Sequence, residues 1–167
     1  MAITNKELEE LTRTIECELN DLYRYAFYRL GDKQDAEDII QDLYVALQTR
    51  IGEAYSIGNL RSYIYRALSN NCTLLLRRRT QNKAVSIDEI GDISDAEPDN
   101  LEEEFTLINS LLESIPEEQS EVIRLHIHGN RTFAEIAEIL EIPLTTAKSR
   151  FKYGIGKLKS RLEKSYK

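Results

Sequence analysis

Apolar residues recur every three or four positions through most of this chain. Leu8, Leu11, Ile15, Leu19, Leu22, Tyr23, Ala26, Phe27 and Leu30 keep that spacing, which predicts an amphipathic helix over residues 5–30. Gly31 is suited to cap its end. Asp32 can open the next helix, with Asp35 in a first turn where negative charge suits the helix dipole. In that helix, about 33–49, Ala36, Ile39, Ile40, Leu43, Tyr44 and Leu47 point inward, and Asp35, Asp38, Gln41, Asp42 and Val45 line the other side. Arg50 to Gly58 (RIGEAYSIG) reads as a loop with two glycines. Asn59 then caps a third helix running to Arg79. Its inner positions are Leu60, Ile64, Ala67, Leu68, Leu75 and Leu76; its polar side carries Arg61, Tyr65, Arg66, Ser69, Asn70 and Arg77 to Arg79.

The periodicity lapses over residues 80–104, where acids, Gly91 and Pro98 argue for a linker, with a short extended piece at Val85 to Asp88. It resumes with Phe105, Ile108, Leu111 and Leu112, a helix to about Glu113. Another helix is expected from Ser114, with Pro116 in its first turn, Glu117 capping back to Ser114, and Val122, Ile123, Leu125 and Ile127 inside. Gly129 and Asn130 end it. Thr132 and Glu135 then form a T-x-x-E capping box, followed by an apolar stripe of Ile136, Ala137, Ile139 and Leu140. Pro143 breaks that helix. A final helix starts near Leu144, with Ala147, Phe151, Ile155, Leu158 and Leu162 on one face and Thr145, Thr146, Lys148, Ser149, Lys152 and Tyr153 on the other, Arg150 at the edge. A short helix, a tight turn and a polar-basic second helix have the shape of a major-groove reader.

The fold class is therefore all-α: a three-helix domain (1–79), an acidic linker (80–104) and a four-helix domain ending in a helix-turn-helix (105–167). The net charge of −7 is adverse to nucleic acid as a total, but it is concentrated. Residues 1–79 hold 12 acids and 11 bases, residues 80–104 hold 9 acids and 1 base, and residues 105–167 hold 8 acids and 10 bases. Residues 59–79 contain five Arg and no acid, and residues 144–167 contain eight Lys/Arg and one acid. Phosphate contacts need local positive charge, not a positive total. No stretch is apolar for long enough to span a bilayer, and the N-terminus does not resemble a signal peptide, so the expected location is cytoplasmic, without membrane insertion. Cys17 and Cys72 lack metal-site spacing and are expected as reduced core or near-core residues.

Each candidate surface has a plain reading beside its functional one. Asp35, Asp38, Gln41 and Asp42 make either a solvated face or a docking strip for a basic partner. The arginines ending the third helix suit the helix dipole; arginines and tyrosines interleaved along one helix also suit single-stranded or distorted DNA. The acidic segment is either a solubilising tether or a nucleic-acid mimic. His126 and His128, the only histidines, are expected at or near the surface on different sides of their helix.

Two motifs in this order carry a resemblance. Residues 35–41, DAEDIIQ, are similar to the D-A-E-D-x-x-Q of group IV (extracytoplasmic-function) sigma factors of bacterial RNA polymerase. Residues 112–150, LESIPEEQSEVIRLHIHGNRTFAEIAEILEIPLTTAKSR, resemble that family's L-P-x-x-x-R-x-V-x-x-L…x-E-I-A-x-x-L-x-I-P-x-G-T-V-K-S-R. The resemblance implies a sigma-2-like domain, a flexible linker and a sigma-4-like domain. It implies a promoter-specificity subunit with core RNA polymerase and promoter DNA as partners, commonly held by an anti-sigma factor, with no cofactor, metal or small-molecule substrate.

By position, Asp35, Asp38, Gln41 and Asp42 match the strip that docks on core polymerase. The 49–59 loop and the helix after it match the region that captures an unpaired base of the −10 element, with Arg61, Tyr65, Arg66, Ser69, Asn70, Arg77 and Arg78 as candidates. Lys148, Ser149, Lys152 and Tyr153 match the face that reads the −35 element, Thr145 is a further −35 contact candidate, and Arg131, Thr146 and Arg150 are placed for phosphate. The chain departs from the family pattern at Tyr63, where Trp is usual, at Leu74 and Leu75, where an Asp-Arg pair is frequent, and at Thr145 to Ala147, in place of Gly-Thr-Val.

Two other classes stand beside this reading. One is a sigma-like regulator or mimic that binds an anti-sigma factor, or represses by binding DNA, without melting promoters; Leu74 and Leu75 motivate it. The other is an enzyme using His126 or His128, disfavoured because no phosphate loop, nucleophile elbow or metal-ligand cluster accompanies them.

Overall fold

The computed structural model describes residues 4–57, 59–85 and 100–165, and these contain helices and no strand. α1 spans Asn5–Leu30 and opens on a reciprocal capping box between Thr4 and Glu7. Gly31 closes it at φ 78°, in the left-handed region, and donates its N–H to Phe27 O at 2.7 Å. A side chain there would also be crowded, since a Cβ would lie 2.6 Å from the Phe105 ring.

α2 spans Lys33–Ile57, with Asp32 Oδ1 accepting the Asp35 N–H at 2.9 Å. The loop expected over Arg50 to Gly58 is thus helical as far as Ile57; Gly58 lies outside the described residues. One internal glycine costs a helix about 1 kcal/mol, too little to stop it when no proline follows. α3 spans Leu60–Val85, entered through Asn59, whose Oδ1 accepts the Ser62 N–H at 3.2 Å. It runs past the expected end at Arg79, because TQNKAV holds no breaker. α4 begins at Asn100, so both ends of the expected 80–104 linker are helical. Ser86 to Asp88 of the expected extended piece lie outside the described residues.

The first three helices share a core of Leu11, Ile15, Leu22, Tyr25, Ala26 and Leu30 from α1, Ala36, Ile39, Ile40, Leu43 and Leu47 from α2, and Ile64, Tyr65, Leu68 and Cys72 from α3. The α1 stripe passes through Glu18, which is buried, and leaves Leu19 44% exposed. Leu19 was expected inside; the 11-15-18-22-25 spacing places it off the stripe. Cys17 is likewise exposed, correcting its expected place near the core, whereas Cys72 is buried.

The second unit comprises α4 (Asn100–Glu113), α5 (Glu117–Ile123), a π-helical turn (Arg124–His128), α6 (Phe133–Leu140) and α7 (Leu144–Ser165). Pro116 is the N-cap of α5 and makes no side-chain cap bond. The expected Ser114–Glu117 cap is absent: Ser114 Oγ donates to Leu111 O, and Glu117 binds Arg124 and Arg29. The π turn puts an extra residue into its loop, with Gly129 N–H on Arg124 O. The helix phase advances, so Leu125 and His128 are buried and Ile127, expected inside, is 45% exposed.

Gly154 is buried where α7 crosses α5; a Cβ there would lie 2.8 Å from Ile123 Cδ1. The two units also meet each other. Val122, Leu125, Ile136, Ile139 and Ala147 join one continuous apolar cluster with the first three helices. Phe105 of α4 packs against Phe27 and Tyr28 of α1.

Candidate nucleic-acid and polymerase interfaces

The helix-turn-helix is α6, its turn and α7. Thr132 Oγ1 accepts the Glu135 N–H, and Glu135 Oε1 accepts the Thr132 N–H, both at 3.2 Å. Those hydrogen bonds and the nearby charges of Arg131 and Arg61 outweigh the opposing effect of burial and lower the Glu135 pKa. Glu141 adopts φ 56°, and the next N–H, of Ile142, bonds Ala137 O at 3.0 Å. Pro143 O then accepts the Ala147 N–H at 3.1 Å, inside the first turn of α7.

Buried Ala147 and Gly154 fix the rotation of α7. Thr145, Lys148, Ser149 and Lys152 are exposed, Tyr153 is 63% exposed, and Thr146 is half-buried. Arg150 is half-buried beside Glu118, at 3.7 Å. Behind this face, Phe151 meets Phe133 and His126 edge-on, and His126 stacks on Phe133 with ring centroids 4.4 Å apart. His126 Nδ1 lies 2.8 Å from Arg131 O, a scaffolding position. His128 is more buried than expected, stacked on Tyr28 at 4.0 Å. Burial, then Arg24 and Arg124, lower its pKa to about 4.

On α2, Asp38, Gln41 and Asp42 are exposed. Asp38 accepts from Gln34 Nε2 at 2.9 Å. Asp35 is half-buried and paired with Arg79, which also donates to Leu30 O at 3.0 Å. The strip borders a groove of about 330 Å³ lined by Asp35, Asp38, Ile39, Asp42, Asn71, Leu74, Leu75 and Arg78. Leu74 is 49% exposed there, so an apolar wall stands beside the acids.

Part of the polar face of α3 looks toward the second unit. Arg61 pairs with Glu18 at 3.0 Å and Glu135 at 4.0 Å. Arg66 donates to Ile139 O at 2.8 Å and Glu138 O at 2.7 Å, and pairs with Glu141 at 3.3 Å. Ser69 Oγ donates to Glu121 at 2.8 Å. Asn70, Arg77 and Arg78 are exposed.

Two expected contact residues are placed elsewhere. Tyr65, expected to face DNA, is a core residue whose hydroxyl donates to Glu18 at 3.0 Å; burial holds its pKa well above the usual phenol range. Arg131, expected on phosphate, is buried against Glu18 (2.8 Å), Asp21 (3.3 Å) and Glu135 (2.8 Å), with its guanidinium 4.6 Å from the Tyr65 ring centre. Glu18, Glu121 and Glu138, which organise this region, were not singled out from sequence. The signal for Glu18 was an acid on the apolar stripe of α1.

Residues 14–82 match the family described as Sigma-70 region 2, and residues 111–160 match Sigma-70, region 4. The chain belongs to the sigma-70 family of RNA polymerase sigma factors.

Among curated proteins it is 29% identical over 144 residues to the RNA polymerase sigma factor SigZ of Bacillus subtilis, covering 85% of this chain and 81% of that one. It is 27% identical over 150 residues to the ECF RNA polymerase sigma factor SigE of Mycolicibacterium smegmatis, covering 86% of this chain and 58% of that one. Its fold is similar to CnrH, solved in complex with the cytosolic domain of CnrY (TM-score 0.69, 18% identity, 93% of this chain and 88% of that one). It is also similar to the sigma factor RpoE of Bartonella quintana, solved with the anti-sigma factor NepR (TM-score 0.66, 20% identity, 93% and 98%). Within its family it is of the extracytoplasmic-function type, a promoter-specificity subunit that binds core RNA polymerase and directs transcription initiation. Among the described residues no helix is long and apolar enough to cross a membrane.

Proposed function

We propose that this chain grips a promoter at two points and polymerase at one, acting in the cytoplasm by binding alone, with no catalytic step. α7 reads the −35 element through Lys148, Ser149, Lys152 and Tyr153, with Thr145, Thr146 and Arg150 on or near the backbone. The observation that carries this assignment is the fixed rotation of α7, which turns its polar-basic face to solvent. Asp38, Gln41 and Asp42, with Asp35 at the edge, dock on a basic surface of core polymerase, and Leu74 adds apolar contact beside them. Arg61, Arg66, Ser69, Asn70, Arg77 and Arg78 serve the −10 strand. Tyr65 and Arg131 hold the framework instead.

Run-off transcription with purified core enzyme tests the whole reading. A promoter-dependent transcript is expected. No transcript from any sequence, together with no core binding, contradicts it and favours the sigma-like regulator, for which exposed Leu74 in place of an acidic residue is the supporting feature. The solved complexes of CnrH and RpoE support an anti-sigma factor as a further partner.

A further inference from the structure

We propose that Gly156 is a seat for the sugar-phosphate backbone of duplex DNA, where the missing side chain lets α7 lie against a phosphate ridge between Lys152 and Lys159. The inference rests on reading α7 as the helix that meets the duplex, and it extends that reading past the residues assigned to the −35 element.

A glycine inside a helix is destabilising relative to alanine, because it gives up more backbone freedom on folding. Two glycines stand inside α7. Gly154 has a reason within the fold, since a Cβ there would collide with Ile123 where α7 crosses α5. Gly156 has no such reason. It is exposed, an added Cβ would meet nothing within 4 Å, and its φ lies outside the left-handed region. Close approach of the backbone to a ligand is a use for a bare position, and the surroundings of Gly156 say which ligand.

Lys152, Tyr153, Lys159 and Ser160 stand three and four positions to either side of it, so their side chains rim the bare position. All four are exposed. Among the described residues Lys148, Lys152, Lys157, Lys159 and Arg161 have no ion-pair partner, whereas Arg150 on the inner edge pairs with Glu118. The one acid of α7 is Glu163, beyond the rim. The notch is therefore edged by unspent positive charge and by hydroxyls, which are donors suited to phosphate oxygens.

The length of α7 brings a phosphate ridge to this place. Its 22 residues extend about 33 Å, whereas the major groove is about 12 Å wide. Leu144 to Tyr153 takes up about 15 Å of that length. A straight helix seated in the groove by those residues must then pass over the backbone that bounds it, and Gly156 is less than one turn further on. A side chain there would hold the helix off the ridge and lift Lys159 and Ser160 away from it.

The test uses the full chain and several fluorescent duplexes of different sequence, with the salt varied. Gly156→Ala should melt higher than the unaltered protein yet bind duplex more weakly. Gly156→Leu should lose about tenfold in affinity, as for one charge-assisted contact, and equally on every duplex. Its salt slope should flatten by about one phosphate contact, as should that of Lys159→Ala. The two substitutions together should flatten it no further, because both remove the same contact. A Gly156→Ala variant that melts lower shows that the glycine serves the fold and overturns the seat. Alanine and leucine variants that bind as tightly as the parent overturn it too. A loss confined to one sequence makes the position a base reader and overturns the backbone assignment. No duplex binding by the unaltered protein is a failure of the α7 reading, and the seat falls with it. Binding that Lys148→Ala weakens and Gly156→Leu leaves untouched keeps that reading and removes the seat alone.

Discussion

Arg131 of the helix-turn-helix unit lies 2.8 Å from Glu18 of α1, and both side chains are buried. Glu18 also accepts from Tyr65 and pairs with Arg61, so one carboxylate ties three positively polarised groups together across the two halves of the chain. Removing one partner of such a pair leaves the other charge buried and uncompensated. Arg131→Ala should therefore destabilise the protein by roughly 3 kcal/mol, read by chemical denaturation. Arg131→Lys should restore only part, since a single ammonium cannot reach Glu18, Asp21 and Glu135 in the same fork geometry.

Acidification should loosen the same junction through His128. Its pKa is lowered to about 4 from an ordinary 6.5, so the folded protein holds the neutral ring against Tyr28, facing Arg24 and Arg124. The unfolded chain takes up the proton first. Stability is therefore full above about pH 6.5 and declines as the pH falls toward 4. At pH 5 the loss should be about 2 kcal/mol, measured as the difference in melting between the unaltered protein and His128→Phe. A variant with the same pH slope as the parent would remove His128 from this role.

Two glycines of α7 should respond in opposite directions to the same change. Gly154→Ala places a methyl against Ile123, Gln119 and Ile115 and should cost about 1–3 kcal/mol while turning the recognition face. Gly156 has nothing within 4 Å of an added Cβ, so Gly156→Ala should stabilise by up to about 1 kcal/mol through helix propensity. Thermal melting with duplex DNA binding separates the two effects.

Much of this layout could be read directly along the chain because its signals are local. The Thr132–Glu135 box, the Gly31 cap, the Asp32 and Asn59 caps and the acidic strip of α2 each depend on residues a turn or two apart. Helix ends were less legible, since nothing local near Gly52 or after Arg79 decides between continuing and stopping. The apolar spacing puts Ile127 inside, but a π turn shifts the phase without any residue that announces it. Tyr65 and Arg131 depart from the sequence expectation for a different reason. Each looks like a free polar side chain until Glu18, from the other end of the fold, is beside it.

Lys148 divides base reading from backbone contact. If it donates to a guanine edge, Lys148→Ala should weaken duplex binding by roughly 1–3 kcal/mol at one sequence and relax preference at that position. If it touches phosphate alone, the loss should be equal on all sequences and the salt slope should fall by about one.

Docking through α2 makes a separable prediction. Asp38→Ala with Gln41→Ala alters two exposed side chains and should impair binding to core polymerase while duplex binding by α7 stays unchanged. Full core affinity in the double variant would refute the strip.

In the proposed two-point grip, α3 serves the melted strand and α7 the duplex. Permanganate reactivity of unpaired thymines, on a promoter bound by the chain and core enzyme, tests it most directly. Reactive thymines are expected around the −10 element and should be lost in Arg61→Ala with Arg66→Ala, while protection over the −35 element persists. Reactivity unchanged by those two substitutions, or protection at −35 with no melting in the unaltered protein, would contradict it.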